Sequence, residues 1–393
     1  MPVPLLDVNA QNLPLQSELE QVFREVLQHG RFIMGPEVAA FEEEVAQMLE
    51  VEHAVAVSSG TDALLMALMA LEIGPGDEVL CPAFTFFATA GAIHRLGATP
   101  VFVDVCPVCF NLDVEDAAAK VTTRTRAIMP VHLFGQSAPM DAVLALSQKH
   151  GLAVVEDAAQ AIGARYHGRA CGAMGDFGTY SFFPSKNLGG FGDGGMVVTR
   201  DAAHAARLRS LRNHGMEPKY YHSHVGGNFR MDTLQAALLR TKLRHYAAYT
   251  AARQSNAAHY TAALSQLPGV VVADPAHCQC ARHGASAAAD AAVVLPVACP
   301  GNDHIWNQYT LRLGGGRRDA VKQALLEAGI GCEVYYPVTL DQQACFASLP
   351  EASRQGCEVS HQLALEVLSL PIYGELVPAQ LDEVVAAVTR ALA

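Results

Sequence analysis

His53-Ala54-Val55-Ala56-Val57-Ser58-Ser59-Gly60-Thr61-Asp62-Ala63-Leu64-Leu65-Met66-Ala67-Leu68-Met69-Ala70-Leu71 is the stretch on which the fold turns. Its first six residues are β-rich, and its last nine form an apolar helical run that ends at Gly74-Pro75-Gly76-Asp77. A strand, a tight turn and a helix in that order is the repeating unit of an α/β domain. The unit recurs, with strands predicted over Glu78–Cys81, Pro100–Val105, Ala127–Leu133, Ala153–Glu156, Thr179–Phe183 and Gly195–Thr199. Helices are predicted over Ala88–Leu96, Asp113–Lys120 and Ala138–His150 between them. Strands that alternate with helices imply a mainly parallel central sheet covered by helices on both faces.

Working outward, residues 1–34 read as an N-terminal arm with one amphipathic helix that Gly30 stops, and another helix runs from about Pro36 to Leu49. After the sheet, Asp201–Asn213 and Thr233 to about Leu267 read as long helices. A smaller C-terminal α+β unit follows, with strands Tyr309–Leu313 and Cys332–Tyr336 and helices Arg318–Ala328, Cys357–Leu368 and Pro378–Leu392. The expected division is therefore 1–34, a large domain over 35–250 and a small domain over 251–393. An alanine-rich insertion near 273–292 has no periodic apolar bulk and reads as an exposed or mobile loop.

Composition narrows the partners. The chain has 393 residues and is half apolar, which supports a sizeable core. Its net charge of -12 and the lack of a dense basic block argue against nucleic acid. Neither a signal-like N-terminus nor a long apolar span is visible, so a soluble, cytoplasmic protein with no membrane partner is expected. The ten cysteines are spread along the chain, as suits buried thiols in a reducing compartment. The cluster His277, Cys278, Cys280 and His283 lacks zinc spacing, since no second cysteine pair follows it, and no metal is expected.

The candidate chemistry lies at strand ends, where ligands of open parallel sheets gather. Lys186 stands between the apolar run Thr179–Phe183 and a field of glycines, which let backbone and ligand approach closely. Alone, it reads first as a surface lysine in a glycine-rich loop. Gly60 and Thr61, where a strand hands over to a helix, offer N–H groups and a hydroxyl to a phosphate, or simply cap the helix. Asp157 follows a buried strand and needs a cation or several donors. Phe86 is placed to stack on a ring or to fill core. A lysine, a phosphate cradle and a carboxylate for a ring nitrogen are what pyridoxal 5′-phosphate requires.

Five ordered motifs then carry a resemblance: Ser58-Ser59-Gly60-Thr61-Asp62-Ala63-Leu64, Thr85-Phe86-Phe87-Ala88-Thr89, Glu156-Asp157-Ala158-Ala159-Gln160, Ser181-Phe182-Phe183-Pro184-Ser185-Lys186 and Gly227-Asn228-Phe229-Arg230-Met231-Asp232. The chain resembles the DegT/DnrJ/EryC1/StrS sugar aminotransferases from Leu6-Asp7 to the last helix. The resemblance implies the aspartate-aminotransferase fold (fold type I) and a homodimer whose active sites are shared between subunits. It implies Lys186 as the lysine that holds the cofactor and moves protons, and Asp157 as the partner of the ring nitrogen. Gln160 would lie on the ring-hydroxyl side, Phe86 over the ring, and Gly60, Thr61 and Ser181 on the phosphate. Asn228 would reach the neighbouring subunit's cofactor.

The implied reaction moves the amino group of L-glutamate onto a keto group of a UDP- or dTDP-linked sugar, for polysaccharide or deoxyaminosugar biosynthesis. The loop Lys219–Asn228 resembles that of family members that aminate a 3-keto sugar more than the Gly-Tyr-Asn-Tyr-Arg of members that often act at C4, so the resemblance implies a 3-keto rather than a 4-keto sugar. The run Tyr335-Tyr336-Pro337-Val338-Thr339-Leu340-Asp341-Gln342-Gln343 departs from the His-Tyr-Pro and Pro-Leu-His-x-Gln of many relatives on the sugar side. Alternatives are a cyclitol or other biosynthetic aminotransferase of the same family, or a non-catalytic cofactor-binding regulator. Relatives with histidine at the lysine position dehydrate instead, and Lys186 sets that variant aside.

Overall fold

The structure, a computed structural model, describes residues 2–278 and 293–393. A seven-stranded sheet organises the chain, built from β1 (His53–Val57), β2 (Glu78–Pro82), β3 (Thr99–Val103), β4 (Thr125–Ile128), β5 (Ala153–Asp157), β6 (Phe177–Ser181) and β7 (Gly195–Thr199). The spatial order is β1-β7-β6-β5-β4-β2-β3. β2 runs parallel to β3 and β4, and β4, β5 and β6 continue parallel. β7 alone is reversed, antiparallel to both β6 and β1. The carboxyl ends of the other strands therefore share one edge, where helix starts and loops leave room for a ligand.

Both faces of the sheet are buried, which is why its strands read as near-continuous apolar runs. Alternation still sorts the faces. Val55 and Val57 pack with Leu64, Met66 and Phe102 on one side, and Ala54 and Ala56 pack with Phe41, Tyr180 and Phe182 on the other. Burying a side chain such as Phe41 contributes roughly 1.5–3 kcal/mol. The helix α1 (Gln16–His29) stops at Gly30, whose φ of 67° is the left-handed cap that the sequence predicts. Helix α2 (Pro36–Leu49) opens with proline at its first position.

A second sheet of β8 (Val270–Val272), β9 (Val293–Leu295), β10 (Tyr309–Leu313) and β11 (Val367–Leu370) is packed in that order. Leu311, Leu313 and Leu370 from it share one core with Val384 and Val388 of the last helix (Pro378–Leu392). The N-terminus joins this core: Val3 is fully buried and bonds across to Gly329 O and from Gly331 N at 2.9 and 2.8 Å.

Several expected elements differ. The single helix predicted from Thr233 to Leu267 is two, Thr233–Leu243 and Tyr246–Leu264. The break lets the Tyr246 hydroxyl reach Ile162 O, at 2.6 Å, while Tyr260 and Leu264 enter the C-terminal core. The expected border at residue 250 falls inside the second of these helices.

Cys332–Tyr336 is not a strand; it keeps one bridge, Glu333 to Ser369, and residues 333–336 line a cleft. The helix predicted over Cys357–Leu368 ends at Glu366, where Val367 turns into β11 and pairs with β10. In the described start of the segment expected to be exposed from residue 273, Asp274 and Ala276 are exposed, while Ala273 and Cys278 are anchored in a small core. Residues 279–292, with Cys280 and His283, lie outside the described residues.

Candidate active site

A cleft of about 820 Å³ opens at the shared strand edge, between the large sheet and the C-terminal unit. Gly60, Thr61, Phe86, Asp157, Gln160, Ser181 and Lys186 all line it. Asn228 does not; it is exposed in a bridge to Asn213. The sequence-predicted residues thus come together with that one exception.

The floor is the end of β5. Glu156 and Asp157 are adjacent, both buried, and supplied very differently with donors. Glu156 accepts from the backbone N–H groups of Gly172, Met174 and Gly175, at 2.7, 2.6 and 2.6 Å, and pairs with His132 Nε2 at 2.8 Å. Its need is met within the fold. Among the described residues, Asp157 receives only the Thr89 hydroxyl at 2.8 Å and the Ala159 N–H at 3.2 Å. Burial pushes its carboxyl above the usual carboxylate range, against the pull of those two donors and of nearby Lys186 and His132. A cation placed over it would restore the charged form.

Lys186 follows a turn in which its own N–H donates to Phe183 O at 2.8 Å. Part of its surface faces the cleft. Desolvation lowers its amine from 10.5 to about 8, although Asp157 draws it the other way. An amine so placed is available as a nucleophile and a base near neutral pH. β6 ends at Ser181, two residues before the predicted Phe183, and the chain then turns back so that Gly190 N bonds to Phe182 O at 2.7 Å.

The phosphate-cradle residues lie at the start of α3 (Gly60–Ala70). Ser59 caps this helix, its hydroxyl accepting from Asp62 N at 3.0 Å. The plain capping role thus falls to Ser59, and Gly60 and Thr61 present the first turn to the cleft. A Cβ on Gly60 would stand 2.6 Å from Ser181 Cβ, so only glycine allows the two segments to meet. Phe86 is exposed to the cleft, with its ring 6.3 Å from that of Tyr336. Gln160 is locked, accepting from Phe134 N at 2.7 Å and donating to the Tyr336 hydroxyl at 3.2 Å.

Two features escaped sequence reasoning. Thr89, in the first turn of the helix Ala88–Arg95 and 3.3 Å from the Thr85 hydroxyl, is the hydroxyl that orients Asp157; its place at a helix start just after β2 was the readable signal. Tyr336 comes from the distant C-terminal unit, and nothing local announces its contact with Gln160. Neither the donor set of Asp157 nor the space at Gly60 conflicts with pyridoxal phosphate. An undersupplied buried carboxylate, an amine of lowered pKa and a helix start without side-chain bulk fit its ring, aldehyde and phosphate.

Comparison with known proteins agrees. The family model described as the DegT/DnrJ/EryC1/StrS aminotransferase family matches residues 14–389. The chain is 44% identical to a UDP-N-acetyl-3-dehydro-alpha-D-glucosamine 3-aminotransferase of Acidithiobacillus ferrooxidans, over 99% of this chain and 98% of that protein. It is also 44% identical to a pleiotropic regulatory protein of Geobacillus stearothermophilus, over 98% and 97%. The crystal structure of DesV from S. venezuelae in complex with a ketimine intermediate superposes with a TM-score of 0.89 and 41% identity, covering 99% of this chain and 98% of that one. NtdA of Bacillus subtilis, solved with bound PMP, matches with a TM-score of 0.86 and 27% identity, covering 100% and 85%.

Proposed function

Because the chain belongs to the DegT/DnrJ/EryC1/StrS aminotransferase family, whose members work with pyridoxal phosphate, we propose that it transfers the amino group of L-glutamate to the 3-keto carbon of a nucleotide-linked sugar. The observation that carries this reading is the pairing, in one cleft, of an undersupplied buried carboxylate with an amine lowered to about 8. The bound cofactor supplies an aldehyde carbon that carries nitrogen and a ring that delocalises the electron pair left by proton removal. The protein's own groups do the rest.

Asp157 holds a positive charge at the ring nitrogen, and Thr89 fixes the carboxylate that does so. Lys186 binds the cofactor and, when released, carries a proton to and from the substrate carbon. Gly60, Thr61 and Ser181 take the phosphate, Phe86 covers the ring, and Gln160 lies toward its hydroxyl. Glu333, Tyr335, Val338 and Gln343 line the outer cleft, where a sugar nucleotide has room and polar partners. The preference for the 3-keto position rests on the loop Lys219–Asn228 and on the name of the Acidithiobacillus relative. Asn228, outside its own cleft, serves the partner's site in a homodimer. We place the division between the large and small domains near residue 250, within the helix Tyr246–Leu264, which runs from one unit into the other.

The test is an absorption spectrum of the cofactor-loaded protein. Adding L-glutamate bleaches the yellow band and releases 2-oxoglutarate, and Lys186→Ala, folded by circular dichroism, does neither. A band that persists in glutamate, or turnover by Lys186→Ala, contradicts the assignment.

A further inference from the structure

Away from the cleft, four buried cysteines from three chain segments meet. Cys106-Pro107-Val108-Cys109 forms the tip of an excursion after β3, pinned at its base by a bridge between Val105 and Leu112. Cys106 N–H donates to Asn111 O, and Phe110 N–H donates back to Cys106 O, both at 2.8 Å. Phe110, directly after the second cysteine, takes a φ of 63°, a left-handed conformation that a bulky residue seldom adopts. Such local strain persists only when the surroundings enforce it. Arg312 braces the turn, donating from Nη1 to Pro107 O at 3.0 Å while its other nitrogens hold Glu366.

Cys278 follows β8 and Cys299 follows β9, so they arrive from the two sides of residues 279–292. The sulfurs of Cys106, Cys109 and Cys278 all lie within 4.8 Å of one another. Cys299 Sγ is 2.7 Å from Cys278 Sγ. All four residues are at most 3% exposed. A single buried cysteine packs as a small apolar side chain. Three mutually close, two of them in a Cys-x-x-Cys turn, with a fourth against Cys278, are a metal donor set. Along the sequence the group around Cys278 lacks a second pair because that pair lies far upstream, and only the fold unites them.

We propose that Cys106, Cys109, Cys278 and Cys299 bind one zinc ion as a closed structural site, fastening the turn after β3 to both segments that flank residues 279–292. With Zn–S bonds of about 2.3 Å, the edges of a tetrahedral thiolate site are about 3.8 Å. The first three sulfurs, within 4.8 Å of one another, draw in by up to about 1 Å, and the Cys278–Cys299 pair opens by about 1 Å, both through side-chain rotation. Four S–H bonds break, four Zn–S bonds form and four protons leave to solvent, with no change of oxidation state. Thiolates select zinc over magnesium or calcium, and the absence of an open position makes the role structural.

Metal analysis of the cofactor-loaded protein, purified without chelator from cells supplied with zinc, tests this. The expected content is about one zinc per chain, lost in the Cys106→Ser, Cys109→Ser double variant while the yellow cofactor band remains. Protein produced in cobalt medium should show the intense visible bands of tetrahedral cobalt thiolate, which decides the matter even where the double variant does not fold. Zinc-free protein with four reduced thiols overturns the proposal, as does a Cys278–Cys299 disulfide found by peptide mass. Zinc retained by the double variant, or cobalt protein without thiolate bands, overturns it too.

Discussion

At the scale of residues, Glu156 and Asp157 show how one sequence can place two carboxylates side by side for unlike tasks. Glu156 is satisfied by three backbone N–H groups and His132, whereas Asp157 has two donors and is held above the ordinary carboxylate range by burial. The sequence made Asp157 visible as costly to bury, but which of the two carboxylates would be satisfied depended on donors from the loop near Gly172, which no local pattern announces. Lys186 carries the testable consequence. Its amine is lowered from 10.5 to about 8, so it is protonated and unreactive below that value and free above it. Capture of pyridoxal phosphate by the cofactor-free protein should accelerate about tenfold per pH unit below about 8 and then level off. Stopped-flow absorbance across pH reads this directly; a rate that keeps rising toward pH 10 contradicts the lowered value.

At the scale of elements, the strand-turn-helix alternation was legible because apolar periodicity and glycine-proline turns agree over most of the large sheet. The elements that were not legible depend on distant partners. Cys332–Tyr336 has the composition of a strand, yet it faces the cleft, and Val367–Leu370 leaves a helical pattern because β10 offers it a pairing edge. β5 is the element on which the site rests, and Glu156 is its anchor. Glu156→Ala leaves three buried N–H groups and His132 without their acceptor, which should lower stability by about 3 kcal/mol or more. Thermal unfolding should show this as a drop of about 5 °C or more, with Glu156→Gln intermediate. An unchanged melting temperature would mean that water or rearranged loops replace the carboxylate.

At the scale of the whole molecule, several large apolar side chains remain open on one chain, among them Leu13, Phe23 and Phe191. These three border an apolar groove of about 750 Å³ beside α1 and the loop after Lys186. Together with Asn228, which lies outside its own cleft, they support the proposed homodimer with shared sites. Phe23→Asp combined with Phe191→Asp should sediment as a folded monomer with glutamate half-reaction activity reduced at least tenfold. A wild-type monomer with full activity contradicts shared sites.

The most direct measurement of the central claim incubates the cofactor-loaded protein with 15N-labelled L-glutamate and a 3-keto nucleotide sugar, followed by mass spectrometry and NMR of the sugar. The account predicts one 15N on carbon 3 of the product and unlabelled 2-oxoglutarate in equal amount. Label that appears only when a 4-keto sugar is supplied, or glutamate consumed in the first half-reaction with no labelled sugar from any nucleotide-linked ketone, would contradict it.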